Sequence, residues 1–229
     1  MSCLKGVLID FGNTIAHVNQ EDDRKFNEEI ASALADQGYE RPVDEVTRVL
    51  NNAYRETTQG EVKDLEEFWR LFLRNLGIDG NLHLVNVLME LQNRHIPTIF
   101  RLYDGAFEVL SVLGKKYKLA LVSNCAIGLS NVIEAMGLNE FFEAVVLSYE
   151  VGVRKPESRM YHEALKRLKL NPSECIFVSD EISDLEGARK IGLKTILVRQ
   201  GERTIHGAKD PAFRAEFDCN HITEIVKYL

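Results

Sequence analysis

Val7-Leu8-Ile9-Asp10-Phe11-Gly12-Asn13-Thr14, VLIDFGNT, runs a short apolar segment into a lone carboxylate and then a polar turn. An apolar run of this kind, ended by turn formers, reads as a strand buried on both faces, as in a parallel sheet. A carboxylate at the end of such a strand is costly unless something pairs it or uses it. Asp10 therefore marks both the end of a buried strand and a candidate functional residue.

Outward from this stretch the texture changes twice. From about Asp22 to His95 the chain is charged and helix-periodic, with apolar faces at Phe26, Ile30, Ala33 and Leu34, at Val43, Val46, Val49 and Leu50, at Leu65, Phe68, Trp69, Phe72 and Leu73, and at Leu84, Val85, Leu88 and Leu91. Four such faces with no strand between them predict a small helical bundle, closed by Pro97. Beyond it, strands (KLALVSN, AVVLS, CIFVSD, KTILV) alternate with helices (DGAFEVLSVLGKKY, Leu129 to Met136, ESRMYHEALKRL, DLEGARKIG), and HITEIVKYL reads as a last helix. That alternation predicts an α/β fold, a doubly wound, Rossmann-like parallel sheet with helices on both faces. The expected division is a core of residues 1–16 and 98–229, interrupted after its first strand by an all-helical cap of residues 17–97.

Bulk properties narrow the function classes. A net charge of −7 over 229 residues argues against a nucleic-acid partner. Basic residues are scattered rather than clustered, and no apolar run approaches the ~20 residues of a membrane span. Cys3, Cys125, Cys175 and Cys219 stand singly, without a zinc or disulfide spacing. With no apolar leader in view, a reducing, cytoplasmic setting is expected. Oligomeric state leaves no mark in the sequence.

In doubly wound sheets ligands bind beyond the carboxyl ends of the strands. That selects Asp10 to Thr14, Ser123-Asn124, Ser148 and Asp180 to Asp184, with Lys155 close behind one strand. Two carboxylates from adjacent strand ends suit a hard cation such as Mg²⁺. Asp10 could then attack phosphorus, while Lys155, the Ser123 hydroxyl and the adjacent backbone N–H offset phosphoryl charge.

The ordered set VLIDFGNT, LALVSN, GVRKPESRMYHEAL and IFVSDEISDLEGARKIG resembles the four motifs of the haloacid dehalogenase superfamily, whose members are mostly phosphatases. The helical insert is similar to the cap of one large subgroup. The resemblance implies a Mg²⁺-dependent phosphatase acting on a small phosphorylated molecule. It makes Asp10 the nucleophile and a metal ligand, and Ser123, Asn124 and Lys155 the phosphate-binding residues, with Ser123 and Lys155 also catalytic. It gives the backbone carbonyl of Gly12 and the Asp180 side chain to the metal, with Thr14 bracing the first loop and Asp184 supporting the water shell or Lys155.

One position departs from the family pattern. Phosphatases of this family usually carry a second Asp two residues after the nucleophile, as general acid and then base; here that residue is Gly12. Such a group contributes typically ~10²–10⁴-fold. Three alternatives follow: a weakly active or non-catalytic member binding a phosphoryl ligand or a partner, a metal-free 2-haloacid dehalogenase, and a phosphonate-cleaving enzyme with a cap lysine, Lys25 or Lys63. The intact pair Asp180 and Asp184 speaks against the dehalogenase. Asp10-Phe11-Gly12 also spells a kinase motif, but nine residues cannot hold the upstream kinase parts. His17 is a candidate replacement acid/base, and Cys125 reads as a small buried filler.

Overall fold

The computed structural model describes residues 4–79, 81–200 and 214–229, so Cys3 lies outside the described residues. Its centre is a six-stranded sheet in the order β5-β4-β1-β6-β7-β8, every pairing parallel. The strands are β1 (Gly6–Ile9), β4 (Lys118–Ser123), β5 (Ala144–Leu147), β6 (Cys175–Ser179), β7 (Lys194–Val198) and β8 (Phe217–Cys219). This is the doubly wound order, in which the chain leaves β1 toward one edge and then returns to β6 on its other side.

The period of two sorts strand residues between two covered faces. Val7, Ile9, Leu119, Leu121, Ile176, Val178, Ile196 and Val198 pack against α5 (Ala106–Gly114), α6 (Leu129–Ala135) and the terminal 3₁₀ helix Ile222–Lys227. Leu8, Ala120, Val122, Val146, Phe177 and Leu197 pack against α8 (Ser158–Leu168) and α9 (Ile182–Lys190). Both faces are thus dry, which is why the strands read as apolar runs rather than as alternation.

The insert forms α1 (Gln20–Asp36), α2 (Val43–Glu56), α3 (Leu65–Asn75) and α4 (Leu82–Ile99) around a separate cluster of buried residues. Trp69 anchors it, meeting Phe26, Phe68 and Phe72 edge-on. Its indole N–H donates to Gln92 Oε1 at 2.7 Å, so the polar end of the ring is satisfied inside the cluster.

Two expectations, at Pro97 and in the last segment, need correction. Pro97 does not close the bundle: α4 runs on to Ile99, because a proline near a helix end forfeits a single backbone bond. The chain enters and leaves the insert through an antiparallel ribbon, β2 (Ala16–Val18) with β3 (Phe100–Leu102), that the sequence did not announce. The last segment is 3₁₀ rather than α-helical. A short helix, α7 (Ser148–Val151), and strand β8 were also unforeseen.

Candidate active site

Asp10 directly follows β1 and Asp180 directly follows β6, the neighbouring strands at which the order reverses. Both are buried, at 7% and 5% exposure. They line one cavity of about 560 Å³ with Gly12, Ser123, Asn124, Lys155 and Asp184, and residues of the insert form its opposite wall.

Lys155 is the hub. Its Nζ lies 2.6 Å from Asp10 Oδ1 and 2.9 Å from Asp184 Oδ2, with a side chain only 1% exposed. Three further contacts put it there. Asn124 takes Lys155 N–H on Oδ1 (2.7 Å) and donates its Nδ2 to Lys155 O (3.0 Å). Gly187 of α9 lets the following turn close in, since a Cβ there would stand 2.5 Å from Pro156 O. Tyr161 donates its hydroxyl to Asp184 O at 2.7 Å, fixing the start of α9. The Asn124 side chain, expected at the phosphate, thus spends both polar atoms on the Lys155 backbone.

Asp10 is held from other sides too. Phe11 N–H donates to Oδ1 at 2.8 Å, and Ser179 Oγ to Oδ2 at 3.4 Å. Thr14 Oγ1 accepts from Asp180 N–H (3.1 Å) and donates to Asp180 Oδ1 (3.3 Å), so the expected brace of the first loop ties it to the second acid. Gln200 extends the brace, donating to Thr14 O at 2.6 Å and accepting from Ile222 N–H at 2.7 Å. Ser148 fixes the loop after Ser123, accepting from Cys125 N–H at 2.9 Å and donating to Cys125 O at 3.1 Å.

The electrostatics follow from burial. Burial drives the Asp10 carboxyl above its ordinary range, with Lys155 pulling it down and Asp184 pushing it up. Asp180 is pushed up to about 7, by burial first and then by the Asp10 charge. Burial works against the charge on Lys155, yet Asp10 and Asp184 outweigh it and hold the ammonium above its usual range. Two buried carboxylates facing one cavity with excess negative charge form a hard-oxygen donor set that fits Mg²⁺, which needs one or two protein carboxylates. Among the described residues no group of three or more His, Cys, Asp or Glu side chains forms a denser metal site.

A Cβ on Gly12 would meet nothing within 4 Å, and its φ lies outside the left-handed region. The position is open to a side chain that this sequence does not supply. His17 does not take its place: its ring packs on Tyr103, at 4.8 Å between centroids, and does not line the cavity. Lys25 is bound to Glu21 at 2.7 Å on the exposed face of α1, and neither it nor Lys63 lines the cavity. Burial pushes the Cys125 thiol up to about 12, away from thiolate character.

Ser179, Ser148, Tyr161 and Gln200 were not singled out as parts of the site network, Ser148 having been marked only by its place at a strand end. A local signal, a hydroxyl at the end of a buried strand, is present for Ser148 and for Ser179 beside Asp180; none marks Tyr161 or Gln200.

The haloacid dehalogenase-like hydrolase family model matches residues 4–192. A glyceraldehyde 3-phosphate phosphatase of Methanopyrus kandleri is 26% identical over 204 residues, covering 87% of this chain and 85% of that protein. The haloacid dehalogenase-like hydrolase domain-containing protein 3 of Bos taurus is 31% identical over 137 residues, 58% of this chain and 55% of that protein. Among solved structures, a 2-haloacid dehalogenase of Pseudomonas syringae superposes with a TM-score of 0.74 at 18% identity, covering 98% of this chain and 97% of that one. The last likeness concerns the fold alone. With the family model spanning most of its length, the chain belongs to the haloacid dehalogenase-like hydrolases.

Proposed function

We propose that this protein is a Mg²⁺-dependent phosphohydrolase that acts on a small phosphorylated metabolite through an aspartyl-phosphate at Asp10. One observation carries the reading: a buried carboxylate at the switch point, gripped by Lys155 and Ser179, faces a cavity shared with the second acid Asp180. The phosphatase name of the Methanopyrus kandleri relative supports the same substrate class.

Asp10, Asp180 and the Gly12 carbonyl would hold the ion. Bound Mg²⁺ would neutralise charge on the phosphoryl oxygens and keep both carboxylates ionised. Asp10 attacks phosphorus with the oxygen not committed to Lys155, and the P–O bond to the substrate breaks. The departing oxygen takes its proton from water, since Gly12 offers none. Water then cleaves the acyl phosphate, releasing inorganic phosphate and restoring the carboxylate. Lys155 and the Ser123 hydroxyl balance charge throughout. Asp184 holds Lys155 in place, and Asn124 positions its backbone. Substrates with good leaving groups, such as aryl and acyl phosphates, lose least from the missing acid.

Hydrolysis of p-nitrophenyl phosphate with and without Mg²⁺ tests the reading. The expected result is turnover that chelator stops and that Asp10→Asn lowers by about 10³-fold or more. Full activity in Asp10→Asn would remove the nucleophile assignment. The open position at Gly12 favours a second reading, a phosphoryl-ligand binder with little turnover, in which Mg²⁺ and phosphate bind but hydrolysis stays at background. Halide release indifferent to chelator would instead support dehalogenation.

A further inference from the structure

We propose that Arg55 and Arg154 form a second anion site in the same cavity. It would read a carboxylate on the part of the substrate that leaves, so that the preferred substrates are phosphate monoesters of small carboxylic acids. The inference rests on the phosphatase reading and adds the class of leaving group.

Both arginines line the cavity, one from each wall: Arg55 in the last turn of α2, Arg154 immediately before Lys155. Their chain segments meet at a tight backbone contact. A Cβ on Gly60 would stand 2.6 Å from Tyr149 O, and one on Gly152 would lie 3.8 Å from Gln59 O. Gly60 has φ +80°, so glycine serves here both the turn and the close approach. The segment just after Arg55 is thereby seated on the segment just before Arg154, at the corner where the insert meets the sheet.

This corner keeps two exposed positive charges in a protein of net charge −7. In the same insert Arg24, Arg70 and Arg94 each hold a glutamate. Among the described residues Arg55 and Arg154 hold none, and the nearby acids are engaged elsewhere. Glu56 accepts from Asn75, Glu61 from the Gln59 backbone N–H and Glu150 from the Tyr149 hydroxyl. Of the other acids on the cavity, Asp23 accepts from Asn27 and Glu181 from Ser183. Lys155 cannot serve a second anion, being spent on Asp10 and Asp184.

Two guanidinium groups lining one cavity offer donors that a single anion can bridge. Their planar forks match a carboxylate in paired hydrogen bonds. A compact acid with its phosphoryl group at Asp10 and its carboxylate at this corner would touch both walls at once.

The test uses 3-phosphoglycerate and glycerol 3-phosphate, which differ in carrying a carboxylate or a hydroxymethyl group. Each is titrated calorimetrically, with Mg²⁺ present, into Asp10→Asn protein, where turnover is expected to fall about 10³-fold or more; inorganic phosphate, titrated into the unsubstituted protein, is the reference. The expected result is 3-phosphoglycerate binding at least about tenfold tighter than glycerol 3-phosphate, the scale of one charge-assisted contact. Adding Arg55→Gln or Arg154→Gln should bring that ratio below about threefold, and Arg55→Lys should keep part of it. Equal binding of the two esters, or a ratio unchanged in both Gln variants, would overturn the inference. If inorganic phosphate fails to bind the unsubstituted protein with Mg²⁺, the phosphatase reading falls and this inference with it.

Discussion

The insert and the sheet body use charge in opposite ways. On α1 and α3 the ion pairs are solvent-exposed and one helical turn apart, such as Arg24 with Glu28 and Arg70 with Glu66. At the sheet end the pairs are buried, three residues from three distant parts of the chain meeting at Lys155 Nζ. Exposed pairs of the first kind contribute little and are readily exchanged. Buried pairs of the second kind gain little net stability over an apolar substitute, because desolvation offsets the attraction. A fold that needed only stability would have filled this position with leucine. An Asp–Lys–Asp chain lining a cavity is the arrangement that the proposed chemistry at Asp10 would need.

The contrast can be broken in three places. The largest effect is expected at Gly12→Asp. Open space around the Cβ admits the side chain, and restoring a general acid/base should raise phosphatase turnover by about 10²–10⁴-fold if the remaining site is competent. No gain in steady-state kcat would favour the binding reading. Next comes Lys155→Met, which strands Asp10 and Asp184 without their cation. Removing one partner of a buried pair costs about 3–5 kcal/mol, read as a fall in thermal midpoint together with loss of activity. A midpoint unchanged by this substitution would mean that the buried charges are not mutually compensating. The smallest effect is Glu66→Gln on α3, expected at a few tenths of a kcal/mol in denaturant unfolding and nothing in turnover. A cost there comparable to that of Lys155→Met would erase the distinction between the two regions.

What the sequence disclosed follows the same division. Strands dry on both faces leave continuous apolar runs, so β1, β4, β5, β6 and β7 were legible, and so were the polar residues just beyond them. Asp10, Ser123, Lys155, Asp180 and Asp184 were nominated from strand ends and motif order, and the fold lines one cavity with all five. The ribbon of β2 and β3 was not legible, because AHV and FRL are too short to show a period and pair across the whole insert. The contacts of Gln200 with Thr14 and of Tyr161 with Asp184 join residues 186 and 23 positions apart, which no local pattern encodes. Asn124 was found for its position, but its task of holding Lys155 in place needed coordinates. The glycines at 60 and 187 likewise show their purpose only through what a Cβ would strike.

A covalent phosphoryl group on Asp10 would be trapped by acid quenching. Protein mixed with acetyl phosphate and Mg²⁺ is quenched within milliseconds to seconds and its intact mass measured. The expected result is a gain of one phosphoryl group, lost on brief treatment with base or hydroxylamine, mapped to the peptide containing Asp10 and absent from Asp10→Asn. Phosphate release without any such adduct, or an adduct that persists in Asp10→Asn, would contradict it.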